Sequence, residues 1–200
     1  MVTKNIITIS RQFGAGGSTI GQAVAELLGF YYCDKDMILK AALESGSLTP
    51  REVMYYDEKV PAEFGFGQSL FDFYNKPLDE RLFKAQTEAI RKVAEKGNCV
   101  IVGRNANIVL KEFDRTLHVF VSATERFRLE RMREKMSGLS DDKILEHIRA
   151  IDKTRKKYCK HYTQTEFANA TYYDLSVKSS TLGLDKCVDI ICEAAGRPNL

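Results

Sequence analysis

The sequence predicts an α/β fold in which a five-stranded parallel sheet carries helices on both faces. Short, β-branched apolar runs alternate with longer segments of helical periodicity. That is the order a parallel sheet requires, because each crossover needs a connection of helix length. The runs are near-continuously apolar rather than alternating, as expected of strands buried on both faces. The first run also opens onto a glycine-rich turn that leads into a helix. In such sheets ligands sit at the carboxyl ends of the strands, so that turn faces the expected binding cleft.

The elements follow in order. "NIITIS" (5–10) is the first strand. Residues 18–28 read as a helix, with Ala23, Val24, Leu27 and Leu28 on one face and Gly29 at its end. "FYYC" (30–33), "CVIVG" (99–103), "LHVFVSA" (117–123) and "TYYDLSV" (171–177) supply four further strands. Helical patterns occupy 35–45, 50–58, 78–97, 124–136, 140–161 and 183–195. Two stretches break the rhythm. Residues 59–77 are rich in glycine and aromatics, and Phe64, Phe66, Phe71, Phe73 and Tyr74 there read better as local packing than as a stacking platform for a base. Residues 137–162 read as a basic helical arm after the fourth strand. Both are candidates to cover the cleft.

A length of 200 residues suits one domain, with 44% hydrophobic and 28% charged residues in ordinary globular proportions. Net charge is +3, too little to indicate a nucleic-acid binder. The basic run at 149–161, with six Lys/Arg against one acid, lacks any compact reader motif. Cys33, Cys99, Cys159, Cys187 and Cys192 form no C-x-x-C pair and read as reduced, buried thiols. No run approaches the ~20 apolar residues of a membrane span. The opening "MVTKNIITIS" has too short an apolar run for a secretory signal, so a cytoplasmic protein is expected.

Chemistry concentrates in "SRQFGAGGST" (10–19). Laid on the phosphate-loop pattern G-x-x-x-x-G-K-[ST], it places Arg11 at the first glycine, Gly16 at the second, Gly17 at the lysine and Ser18 at the hydroxyl. Glycines at 14, 16 and 17 let successive N–H groups of Phe13 through Thr19, Ala15 included, turn toward one anion, and the dipole of the following helix adds to that site. Ser18 and Thr19 offer hydroxyls to Mg²⁺ or to a phosphate oxygen. The loop lacks its lysine. Arg11 at its mouth, or an arginine from the covering arm, is the expected replacement. His118 reads as structural, and His147 and His161 have no metal-ligand spacing.

Five blocks, "ITISRQFGAGGSTIGQAVAELLGFYYCD", "VIVGRNANIVL", "LHVFVSATERFRLERM", "IDKTRKKYCKHYT" and "YYDLSVKSSTLG", together resemble the cytidylate kinase-like family from about residue 5 to about 195. The resemblance implies a three-layer P-loop NTPase fold and transfer of the ATP γ-phosphoryl, with Mg²⁺, to CMP or dCMP. The core would comprise 1–34, 78–136 and 163–200, with an acceptor-binding insert at about 35–77 and a lid arm at about 137–162. Arg104 of "GRN" matches an acceptor-binding arginine, while Asn105 stands where the family has an aspartate. Asp152 and Arg155 match the D-x-x-R of the acceptor and lid segment. Arg131 lies where lid arginines occur, with Arg126, Arg128 and Arg133 beside it. Asp34 matches an acid after the second strand that orients Mg²⁺ or fixes the loop. Lys40 replaces an arginine for the acceptor phosphate, and Asp79, with Arg81 near, replaces another. Lys35 and Asp36 also depart from the pattern, so the departures fall in the acceptor pocket.

The resulting expectation is a phosphotransferase whose partners are small-molecule nucleotides: Arg11, Arg131 and Arg155 act on the transferring group, and Asp34, Lys40, Arg104, Asn105, Asp152 and Arg155 hold the acceptor. Ser18 and Asp34 would serve the metal. The alternative is a nucleotide- or anion-sensing protein of the same descent, motivated by Gly17. Neither nucleic acid nor membrane is an expected partner, and the sequence leaves the oligomeric state open.

Overall fold

A computed structural model of the protein describes residues 4–44 and 80–196. The helix expected at 50–58, the aromatic stretch at 59–77 and Asp79 lie outside the described residues. Strands β1 (Ile6–Arg11), β2 (Tyr31–Cys33), β3 (Cys99–Val102), β4 (Thr116–Ser122) and β5 (Leu175–Lys178) form one sheet in the order β2-β3-β1-β4-β5. Every neighbouring pair is parallel, with Ile6 opposite both Cys99 and Thr116 in register. The chain leaves β1 for one edge, returns to β3 beside β1, and then crosses to β4 on the other side. A binding crevice is expected where the direction of winding changes, at the carboxyl end of β1.

The helices are α1 (Gly17–Leu28), α2 (Lys35–Glu44), α3 (Glu80–Lys96), α4 (Ala106–Val109), α5 (Glu125–Lys135), α6 (Asp141–Thr163), α7 (Ser179–Leu182) and α8 (Leu184–Ala194). They divide between two cores because strand side chains alternate in direction. Ile7, Ile9, Val100, Val102, Val119 and Val121 face α1 and α8, where Ile20, Val24, Val188 and Ile191 meet them. Ile6, Cys99 and Ile101 face the opposite core, shared with Ile38 of α2, Ile90 of α3 and three isoleucines of α6. Burying each such side chain stabilises the fold by about 1.5–3 kcal/mol relative to exposure. Helix α1 ends at Gly29, whose φ of 65° closes the last turn by donating its N–H to the Ala25 and Glu26 carbonyls.

Helix α6 occupies most of the arm expected at 137–162, and it is packed into the body. Ile144, Ile148 and Ile151, spaced at helical periodicity, are each no more than 1% exposed in the core of α2 and α3. Lys153, Lys156, Lys157 and Lys160 lie on its exposed face, while Asp141 and Asp142 in its first turn and Lys160 and His161 in its last complement the helix dipole. The last expected strand is shorter than its sequence suggests. Ala170–Tyr172 form a 3₁₀ turn capped by Asn169, and pairing begins only at Leu175. Tyr173, apolar enough to read as strand, packs on Phe120 with ring centroids 5.1 Å apart. Helices α4 and α7, four residues each, are too short to leave a periodic signal.

Candidate active site

The turn between β1 and α1 is held from all sides by its carbonyls. The Arg11 carbonyl accepts from Arg155 Nη1 at 2.8 Å, that of Gln12 from the Ala15 N–H at 3.3 Å, that of Phe13 from Arg128 Nη1 at 3.2 Å, and that of Ala15 from Ser179 Oγ at 2.7 Å. The Gln12 side chain adds a tie to the end of β4 by accepting from the Ala123 N–H. Gly14 and Gly16 take φ of 78° and 86°, a region that glycine enters without strain. The first intrahelical bond of α1 runs from the Ile20 N–H to the Gly16 carbonyl. Helix geometry therefore leaves the N–H groups of Gly17, Ser18 and Thr19 pointing out of the helix start. Carbonyls turned back into the protein and these N–H groups turned out have the form of an anion nest, but the N–H groups of Phe13 and Ala15, expected to join it, are spent on Asp152 and on the Gln12 carbonyl.

Asp152 and Arg155 do share a face of α6, as their spacing predicts, but that face is turned against the glycine loop. Asp152 is buried; its Oδ1 accepts from the Phe13 N–H at 2.8 Å and its Oδ2 from Arg128 Nη1. Arg128 comes from α5, so both helices of the α5–α6 pair grip Phe13, one by its N–H and one by its carbonyl. Asp152 is thus engaged by the loop and by Arg128, two partners the sequence does not pair with it. The Arg155 guanidinium lies 5.7 Å from the Phe13 ring centroid, over its face.

Two clefts open at the carboxyl end of the sheet. The larger, about 450 Å³, is bordered by the loop, by Ser18 and Thr19, and by Arg131, Met132 and Lys135 of α5. The smaller, about 290 Å³, lies beyond β3 among Ser10, Gly103, Arg104, Asn105, Tyr158 and Phe167. Arg11 and Arg155 line both. Arg104 is only 5% exposed. It reaches its position through three successive left-handed residues, Gly103, Arg104 and Asn105, with φ of 88°, 57° and 54°.

On α5, helical spacing separates the arginines. Arg131 faces the loop, with Nη2 3.4 Å from Thr19 Oγ1. Arg126 pairs with Glu130 and Arg133 with Asp141, both on the exposed side. Lys135, one turn beyond Arg131, joins the cleft and was legible only from that i, i+4 relation. Asp34 Oδ1 accepts from the Asp36 and Met37 N–H groups, which makes it the cap of α2. Lys40 is exposed on α2, and neither it nor Asp34 lines the two clefts. Lys35 pairs with Asp36 at 3.3 Å, and Arg81 is exposed on α3.

Sequence reasoning did not single out Gln12, Tyr32, Tyr158, Phe167 or Ser179. Tyr32, the middle residue of β2, hydrogen-bonds with Ser18; burial and the Asp34 charge push its hydroxyl pKa up, against the pull of Arg11 and of that hydrogen bond. The signal that could have found Ser179 is position, since it directly follows the last residue of β5. Cys33 and Cys99 are pushed up to about 12, chiefly by burial, so they are inert thiols. Among the described residues there is no group of three or more His, Cys, Asp or Glu able to hold a metal. The donor set is a hydroxyl beside an anion nest. It fits Mg²⁺, which keeps several waters and takes further oxygens from substrate phosphates.

Comparison with known proteins agrees with this geometry. The chain is similar to the cytidylate kinase of Methanococcus vannielii, 27% identical over 94% of this chain and 98% of that one. It is similar to that of Archaeoglobus fulgidus, 27% identical over 94% and 93%. Among solved structures, an uncharacterized protein from Eubacterium ventriosum shares the fold with a TM-score of 0.73 at 22% identity, covering 96% of this chain and 98% of that one. Shikimate kinase from Bacteroides thetaiotaomicron shares it at 0.54 and 16%, over the same 96% and 98%. The five-stranded parallel sheet with its helices thus matches P-loop kinase folds. The model of the cytidylate kinase-like family matches residues 6–181, and the chain belongs to that family.

Proposed function

We propose that this chain transfers the γ-phosphoryl of ATP to a nucleoside monophosphate of the (deoxy)cytidylate type. The observation that carries the reading is the pair of clefts meeting at Arg11 and Arg155, one built on an anion nest and the other on Arg104. Three arginines around the smaller cleft, with no carboxylate among the described residues that line it, suit an acceptor that is itself a phosphate monoester. The curated relatives named above are cytidylate kinases, which favours a cytidine base.

In this reading the N–H groups of Gly14 and of Gly16 through Thr19 cradle the ATP phosphates, with Arg131 and Lys135 over them. Ser18 would hold Mg²⁺, which would supply charge to offset that of the phosphate oxygens. Arg104 grips the acceptor phosphate, and Asn105 lies beside it. An acceptor oxygen forms the new P–O bond as the bond between the β- and γ-phosphoryl groups breaks, and ADP leaves. Arg11 and Arg155 stand where negative charge is shared between the clefts, and catalysis is their positioning of that charge. Met132, Tyr158 and Phe167 narrow the clefts against water.

Purified protein with Mg-ATP, screened against all ribo- and deoxyribonucleoside monophosphates with shikimate as a control, tests the reading. ADP formation that depends on CMP or dCMP is the expected result. The absence of the lysine at Gly17 favours a second reading, a nucleotide sensor. Tight ATP binding with no acceptor-dependent ADP would establish that one and overturn the kinase.

A further inference from the structure

Against the pattern G-x-x-x-x-G-K-[ST], this chain has its cation at the first position and a glycine at the lysine position. The two residue types have changed places, and the structure supplies a reason. A Cβ on Gly17 would lie 2.6 Å from Arg11 Cβ, 2.8 Å from its Cγ and 3.5 Å from its Cδ. The first two separations are far inside the ~3.5–4.0 Å at which carbon atoms pack. Only one of the two positions can carry a side chain, and here the methylenes of Arg11 run through the space into which residue 17 would project.

The other end of the side chain rests on a second glycine. A Cβ on Gly103 would lie 3.1 Å from Arg11 Cζ and 3.3 Å from Nη2, and would collide with Nη1. The Arg11 backbone is held in turn by Arg155 Nη1, 2.8 Å from its carbonyl. We infer that Arg11 and Gly17 are a reciprocal exchange: Arg11 is the phosphate cation of this loop, mounted on β1 instead of α1, and Gly17 and Gly103 are glycine because its stem and head lie on them. The inference rests on the reading of the cleft as a nucleotide-phosphate site. Its consequence is a change of direction. An arginine mounted on β1 crosses to the end of β3 and borders both clefts, so one guanidinium faces the transferring group from the donor and the acceptor side.

The exchange predicts that restoring the lysine alone is harmful and that restoring both residues is not. Calorimetry with inorganic tripolyphosphate and with Mg-ATP would compare the parent protein, Arg11→Gly, Gly17→Lys and the double variant Arg11→Gly/Gly17→Lys. Each single change should weaken tripolyphosphate binding by about tenfold or more, Gly17→Lys included although it adds a positive charge. The double variant should return to within roughly threefold of the parent, the difference left by moving one charged hydrogen-bond donor rather than deleting it. Tighter binding by Gly17→Lys alone, or a double variant no better than Arg11→Gly, overturns the exchange. The second comparison decides the matter even where Gly17→Lys fails to fold. Tripolyphosphate binding needs no turnover. A protein that follows this pattern yet forms no ADP would sink the kinase reading and leave the exchange standing.

Discussion

The glycine loop and the bend at 103–105 sit side by side at the carboxyl end of the sheet, and they are built on opposite plans. In the loop, positive φ falls on Gly14 and Gly16, where it is unstrained, and the carbonyls of Arg11, Gln12, Phe13 and Ala15 are all bonded away from the cleft. In the bend, positive φ falls on Arg104 and Asn105 as well as on Gly103. Left-handed backbone costs an ordinary L-residue roughly 1–2 kcal/mol. The first region presents backbone N–H groups, and the side chains around it serve to hold the loop in place. The second accepts strain to deliver one particular guanidinium. Such strain persists only where the surrounding packing over-determines it, and Arg104 is buried.

The contrast can be broken most severely beneath the loop. Asp152→Ala leaves the buried Arg128 without its carboxylate and the Phe13 N–H without its acceptor, and should lower unfolding free energy by about 3–5 kcal/mol in chemical denaturation. Asp152→Asn keeps an acceptor for Phe13 and should recover part of that loss. An Asp152→Ala protein as stable as the parent would show that the latch does not hold the loop. Next in size, Gly16→Ala forces alanine to φ 86° and should cost about 1–2 kcal/mol together with ATP affinity. The steric part of that change is minor, because the nearest atom is Cδ2 of the flexible Leu184.

Arg104→Ala tests the second plan. It removes a charged donor from the smaller cleft and should raise the acceptor KM roughly 10- to 100-fold, with ATP affinity unchanged. Equal losses for both ligands in steady-state kinetics would erase the distinction between the regions. The smallest effect belongs to His118, in the strand below both. Its pKa is lowered from the ordinary 6.5, first by burial and then by Lys4, against the pull of Asp174. The unfolded chain therefore takes up a proton near 6.5 that the folded chain resists. Stability should be full above that pH and fall as pH drops from 6.5 toward the folded value. In His118→Gln that part of the pH slope should vanish from thermal denaturation, with ligand binding untouched.

Much of the frame was legible because it follows from local rules. The apolar runs that became β1, β3 and β4 announce burial on both faces, and Ala23, Val24 and Leu28 announce the inner side of α1, although Leu27, read with them, is 48% exposed. The glycine loop was legible for the same reason, since positive φ and close backbone approach require glycine whatever surrounds them. Side-chain destinations were less so. Asp152 and Arg155 lie one turn apart and must share a face, but nothing local says whether that face meets solvent, an acceptor or the loop. Arg126, Arg128, Arg131 and Arg133 form one charged string in the sequence; helical phase separates them, and only the docking of α5 and α6 on the loop buries Arg128.

By itself, then, the sequence determined a parallel α/β sheet, a glycine-rich turn between β1 and α1, and a missing lysine. Tertiary structure decided where the charge went. Arg11 and Gly17 are six positions apart in the chain, and Gly103 lies on another strand. Their mutual exclusion is a matter of contact distances, which packing sets and a linear pattern does not record.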